Sequence, residues 1–124
     1  MVIRRMEKTD VEAASAIERA SFSMPWSADD FLEMVEADYA FYYVAELEGE
    51  IAGCCGIRNL SGEGEITNVV VADRHRRKGI ARKMMEYMLQ EAEKRGIKDC
   101  TLEVRCSNLP AIRWYEGLGF KGEG

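Results

Sequence analysis

A chain of 124 residues with 47% hydrophobic and 31% charged residues has the length and composition of one soluble domain with a substantial core. Its formal net charge of −5 argues against broad nucleic-acid binding, and no apolar run has the length needed to span a bilayer. Cys54, Cys55, Cys100 and Cys106 lack zinc-ligand spacing and the only histidine is His75, which argues against a metal centre or a cysteine-nucleophile enzyme. Met1 to Asp10 has no signal-peptide pattern, so the thiols are expected to be reduced and the chain cytoplasmic.

In chain order, Val2 to Met6 is predicted as a short strand. Thr9-Asp10-Val11-Glu12 reads as a capping box opening a helix whose Val11, Ala14, Ile17 and Ala20 share one face. Pro25 breaks the helical pattern in Phe22 to Trp26, and Ser27-Ala28-Asp29-Asp30 restarts it with Phe31, Leu32 and Val35 inward. Phe41 to Glu46 and Ile51 to Arg58 are predicted strands joined through Glu48-Gly49-Glu50, a hairpin signal. Cys54 and Cys55, neighbours on the second of these, must face opposite sides of the sheet. Ser61-Gly62-Glu63-Gly64 is a further turn, Glu65 to Val71 a β-branched strand, and Arg82 to Arg95 a long amphipathic helix closed by Gly96. Met84, Met85 and Met88 are expected to pack that helix on the sheet. Cys100 to Val104 is another predicted strand. Asn108 can cap a last helix with Pro110 in its first turn and Gly119 past its end. The order β-α-α-β-β-β-α-β-α gives a mixed sheet with helices on its faces, an α/β (α+β) fold.

Between the strand ending at Val71 and the long helix lies Arg76-Arg77-Lys78-Gly79-Ile80-Ala81. A strand, a basic glycine-containing turn and a helix N-terminus make an anion site, because the turn N–H groups and the positive helix end point at one spot. A dinucleotide fingerprint is disfavoured, since it needs a third glycine and a strand–helix unit near the N-terminus.

Arg76 to Ala81 satisfies the Arg/Gln-x-x-Gly-x-Gly/Ala signature of the GNAT superfamily of N-acetyltransferases, which the chain resembles from about Ile3 to Phe120. Three stretches carry a finer resemblance to its RimI-type members, the ribosomal-protein N-terminal alanine acetyltransferases. They are Phe22-Ser23-Met24-Pro25-Trp26-Ser27, Leu102-Glu103-Val104-Arg105-Cys106-Ser107-Asn108, and Ala111-Ile112-Arg113-Trp114-Tyr115-Glu116-Gly117-Leu118-Gly119-Phe120.

The resemblance implies a GNAT fold, a mostly antiparallel sheet splayed at an acetyl-CoA site, over the whole of residues 1–124. It implies that Val69, Val70 and Val71 hold the pantetheine arm through backbone groups. The pyrophosphate is expected at Arg77, Lys78, Gly79, Ile80, Ala81 and Arg82, with Arg76 also among the cofactor-binding residues. Asn108 matches a cofactor-contacting position and is equally a helix N-cap. Glu103 is the implied general base and Tyr115 the implied general acid toward the coenzyme A sulfur; on residue pattern alone, Glu103 sits on a polar strand face and Tyr115 packs a short helix. The oxyanion donor is expected to be a backbone N–H near Val70. Trp26 either lines the acceptor groove or anchors its loop in the core. Glu33, Glu36 and Asp38 either attract a basic acceptor or form a solvated helix face.

The acceptor implied is a protein N-terminus, alanine first, of the small-subunit ribosomal protein number eighteen, with no nucleic-acid, membrane or metal partner. An α-amine has a pKa near 8 and lysine near 10.4, so freeing a neutral lysine amine at pH 7 costs roughly 3 kcal/mol more. Desolvation can narrow that gap, and acetylation of a lysine, of a small amine, or acetyl-CoA binding without turnover remain alternatives. Phe120 is expected to open a further strand, with the natural tail missing after residue 124.

Overall fold

The computed structural model describes residues 1–102. The strands are β1 (Val2–Arg5), β2 (Ala40–Leu47), β3 (Glu50–Leu60), β4 (Glu63–Val71) and β5 (Asp99–Leu102). The helices are α1 (Val11–Ser21), α2 (Ala28–Glu36) and α3 (Ile80–Lys94). They form one five-stranded sheet in the order β1-β2-β3-β4-β5, antiparallel except where β4 meets β5. Only that parallel pair needs a long crossover, and α3 supplies it.

Strand alternation sorts the core onto two faces. Tyr43, Cys55, Ile57, Ile66 and Val71 pack with Ile80, Met84, Met85 and Met88 of α3. Tyr42, Val44, Cys54 and Val70 pack on the other face with Val11, Ala14 and Ile17 of α1 and Phe31 and Met34 of α2. Cys54 and Cys55 therefore face opposite ways, and both are fully buried. Burial pushes the Cys55 thiol up to about 12 and raises Cys54 as well, so both are packing groups rather than nucleophiles.

The two predicted hairpin turns form at Glu48-Gly49 and Ser61-Gly62, with all four residues at positive φ, the geometry that matches strand twist. Gly96 (φ 79°) ends α3, its N–H donating to Glu93 O (3.1 Å) while Ile97 N–H donates to Ala92 O (3.0 Å).

The α1 start differs from expectation. The box spans Glu7 and Asp10 instead of Thr9 and Glu12. A 3₁₀ turn, Lys8–Asp10, leads into α1, and Asp10 Oδ2 accepts from Glu7 N–H at 2.8 Å. Arg4 forks onto the same carboxylate at 2.8 and 3.0 Å and reaches Glu46 at 3.0 Å, tying β1 and β2 to the helix entry. Ala20, expected inward, is exposed, whereas the polar Ser15 and Glu18 of the same helix are buried.

Candidate active site

β4 carries the feature that organises the site. Gly56 pairs with Asn68 and Ile57 with Ile66, so Thr67 is an extra residue, a β-bulge. The bulge inverts the alternation: Ile66 faces α3, while Asn68 and Val70 face α1 and α2. Tyr42, on that second face, hydrogen-bonds both Thr67 Oγ1 and Asn68 Oδ1.

The parallel pairing of β4 to β5 runs from Glu63 to Ile66, and among the described residues no strand continues it beside Thr67 to Val71. Ala72 N–H donates to Ala52 O at 2.8 Å, so by antiparallel alternation Val70 exchanges its hydrogen bonds with Cys54. The peptide groups of Val69 and Val71 then point to the edge away from β3. Of the three valines expected to offer backbone groups, Val70 is the exception, because its N–H and C=O are turned toward β3.

After Val71 the 3₁₀ turn Asp73–His75 swings the chain outward, and Arg77 (φ 65°) and Gly79 (φ 75°) turn it sharply into α3. Gly79 has no side chain to cap the helix, and the first intrahelical bond is Lys83 N–H to Gly79 O at 3.1 Å. The N–H groups of Ile80, Ala81 and Arg82 thus head the helix dipole without a side-chain cap. Ile80 is buried under the turn and holds this helix end against the sheet.

The basic side chains divide by duty. Arg76, expected among the cofactor-binding residues, is committed to the protein: its guanidinium donates to Val71 O (3.2 Å) and Ser21 Oγ (3.0 Å) and pairs with Asp73 (2.7 Å). It staples α1, the end of β4 and the turn together, and the Val71 carbonyl on that edge is consumed in doing so. Lys78 Nζ lies 3.4 Å from His75 Nδ1, and His75 Nε2 lies 3.4 Å from Glu50. Arg77 and Arg82 are exposed and have no ion-pair partner among the described residues. In the sequence these arginines form one basic cluster, and only the fold separates the staple from the exposed charges.

Trp26 sits half-buried in the loop between α1 and α2. Its ring stacks on Tyr42 (centroids 5.8 Å apart, planes at 22°) and lies 5.3 Å from Phe31. It therefore anchors the loop; the neighbouring Phe22 and Met24 are the exposed apolar residues there. Glu33, Glu36 and Asp38 all lie exposed. Among the described residues no group of His, Cys, Asp or Glu is placed to hold a metal ion, and no helix is long and apolar enough to cross a membrane. Glu103, Asn108 and Tyr115 lie outside the described residues.

One buried carboxyl had no signal beyond its place in an amphipathic helix. Glu18, 3% exposed, accepts from Trp26 N–H at 3.3 Å, and Asn68 approaches the same carboxyl. Burial raises its pKa, and the Trp26 N–H and Asn68 amide oppose that rise in part.

The arrangement fits a ligand with a peptide-like arm and a phosphate head. The β4 edge away from β3, unpaired beside Thr67 to Val71 among the described residues, offers strand pairing to the arm, and the α3 N-terminus with Arg77 and Arg82 offers donors and charge to the head. A Cβ at Gly79 would meet no atom within 4 Å, so the glycine leaves open space at the turn.

The model of the Acetyltransferase (GNAT) family matches residues 11–120. The chain is 34% identical over 118 residues to the ribosomal protein bS18-alanine N-acetyltransferase of Escherichia coli (strain K12), covering 95% of this chain and 79% of that protein. It is 30% identical over 132 residues to an N-alpha-acetyltransferase of Sulfurisphaera tokodaii, covering 96% and 79%. The crystal structure of the Escherichia coli ribosomal-protein-S18-alanine N-acetyltransferase superposes with a TM-score of 0.91 at 32% identity, covering 99% of this chain and 79% of that one. The chain belongs to the GNAT acetyltransferase family, enzymes that take their acetyl group from acetyl-CoA.

Proposed function

We propose that this chain, acting as a single catalytic domain in the cytoplasm, acetylates the N-terminal α-amine of a protein, with alanine first and ribosomal protein bS18 as acceptor. The observation that carries this reading is its similarity over nearly its whole length to enzymes named for that reaction, at 34% identity to one of them. The similarity to an N-alpha-acetyltransferase from a different source supports the α-amine over lysine, as does the pKa difference between the two amines.

Acetyl-CoA supplies the acetyl group as a thioester. Val69 and Val71 bind its arm at the β4 edge, and Arg77, Lys78 and Arg82 with the N–H groups from Gly79 to Ala81 hold its pyrophosphate. Arg76 and Val70 serve by position, the one stapling the turn and the other packing the strand. Glu103 takes a proton from the attacking amine, and Tyr115 returns one to the sulfur as the carbon–sulfur bond breaks, leaving an amide and a free thiol. Asn108 adds a contact to the cofactor, and Trp26 fixes the loop that faces the acceptor.

Mass spectrometry of one reaction tests the reading. The peptide has a free N-terminal Ala, basic following residues and an internal Lys. Acetyl on the Ala nitrogen alone is the expected product. Acetyl on the lysine overturns the assigned acceptor, and coenzyme A binding without product overturns turnover by this chain.

A further inference from the structure

Two hydrogen-bonded groups on the α1–α2 face, one around Ser15, Trp26 and Glu18 and one around Tyr42, Thr67 and Asn68, meet where the Trp26 ring stacks on Tyr42 and Asn68 approaches Glu18. Ser15 Oγ donates to Trp26 O (3.0 Å), while Trp26 N–H donates to Glu18 Oε1 (3.3 Å), so α1 grips both peptide groups of Trp26. Arg19 donates to Ser15 Oγ (2.9 Å) and fixes the direction of that hydroxyl. At the other end, the Tyr42 hydroxyl donates to Asn68 Oδ1 (3.2 Å), so the Thr67 hydroxyl must supply the proton of its own bond to Tyr42. With Asn68 Oδ1 occupied by Tyr42, its NH₂ is the group that faces Glu18. The protons on the bulge side run toward Glu18, Thr67 to Tyr42 and Tyr42 to Asn68, which approaches the carboxyl that Trp26 N–H donates to, while Ser15 and Arg19 hold the carbonyl side of Trp26.

A carboxylate suits this terminus because it only accepts. Among the described residues its second oxygen, Oε2, is buried without a hydrogen-bond partner, an expensive arrangement for a residue serving stability alone. The groups joined are the Thr67 bulge, which aims the cofactor edge of β4, and the loop of Trp26 on the acceptor side. We propose that Glu18 is a positioning residue that couples the loop between α1 and α2 to the β4 bulge, so that ordering of the cofactor strand orders the acceptor side. This rests on the reading of that loop as the acceptor side.

The test is Glu18→Gln. The glutamine can still accept from Trp26 N–H, but its NH₂ opposes the NH₂ of Asn68, so the link between the two groups is lost. Hydrogen exchange is measured on the full chain with and without acetyl-CoA. In the wild type, acetyl-CoA is expected to slow exchange both at residues 69–82 and in the loop 22–27, the latter by fivefold or more. In Glu18→Gln the slowing at 69–82 is expected to remain and that of the loop to vanish, with an unfolding midpoint no lower than wild type. Loop protection unchanged in the variant, or absent in the wild type, overturns the proposal. Should Glu18→Gln not fold, Tyr42→Phe cuts the same link at Thr67 and Asn68 and must uncouple the loop in the same way. These readouts need no acceptor, so failure of the acceptor reading appears separately, as no acetylated peptide from the wild type. Where peptide is acetylated, Glu18→Gln is expected to raise its KM about tenfold with kcat within threefold. A parallel loss of kcat with KM unchanged overturns coupling to the acceptor side.

Discussion

Gly56 gives the sharpest quantitative test of how the core supports the site. It pairs with Tyr42 across β2 and β3, and a Cβ there would lie 2.3 to 2.5 Å from three carbons of the Tyr42 ring. The ring is 1% exposed, stacked on Trp26, edge-on to Phe31 at 6.3 Å, and tethered by its hydroxyl to Thr67 and Asn68. It has no free direction in which to yield. Gly56→Ala must therefore overpack this face, at about 1–3 kcal/mol, and strain hydroxyl bonds worth about 1 kcal/mol each. The smaller unfolded-state entropy of alanine returns roughly 0.4–1 kcal/mol. The expected loss is about 2–3 kcal/mol, or roughly 10 °C in melting temperature. Urea denaturation monitored by far-UV circular dichroism reads it as a lowered midpoint with an unchanged m-value. Gly49→Ala is the control: it meets no atom within 4 Å but sits at φ 80°, so it should lose only about 1 kcal/mol through its backbone. A Gly56→Ala midpoint equal to wild type would refute the account of Tyr42 as an immobile post.

Other expectations follow from the same structure. Arg77→Ala with Lys78→Ala is expected to weaken acetyl-CoA binding about tenfold at low salt and less at 0.5 M, by calorimetric titration, since exposed charges are screened; affinity unchanged at low salt would remove these residues from the pyrophosphate site. Glu103→Gln and Tyr115→Phe should each lower turnover by about 10²–10⁴-fold with acetyl-CoA affinity kept, measured by thiol release. Burial alone would raise the Asp10 carboxyl, but the Arg4 fork and the Glu7 N–H outweigh it and hold its pKa below the usual range. Its stabilisation is thus present above the unfolded carboxylate pKa, near 3.9, and is lost as pH falls through the lower folded value. Asp10→Asn should accordingly cost about 1–3 kcal/mol at pH 7, and the gap to wild type in urea midpoints should close only below about pH 4.

The sequence by itself determined the elements whose signals are local. Alternating apolar residues set β2 to β4, the glycine pairs at Gly49 and Gly62 set the hairpins, and Gly96 set the end of α3. The basic turn from Arg76 to Ala81 was equally plain, because a phosphate-binding turn needs glycine and charge within a few residues. Long-range geometry decided the rest. The bulge at Thr67 has no composition of its own; it exists only as a mismatch of register between two strands, and it turns Asn68 and Val70 to the face opposite the one simple alternation assigns. Which of Val69, Val70 and Val71 offers its peptide groups depends on which edge β3 already occupies. Arg76 and Arg77 are chemically alike, but Val71, Asp73 and Ser21 surround only one of them. Glu18 reads in the sequence as one more helical charge. Its burial against Trp26 and Asn68 comes from three segments meeting, since a carboxyl's environment is a property of what folds over it.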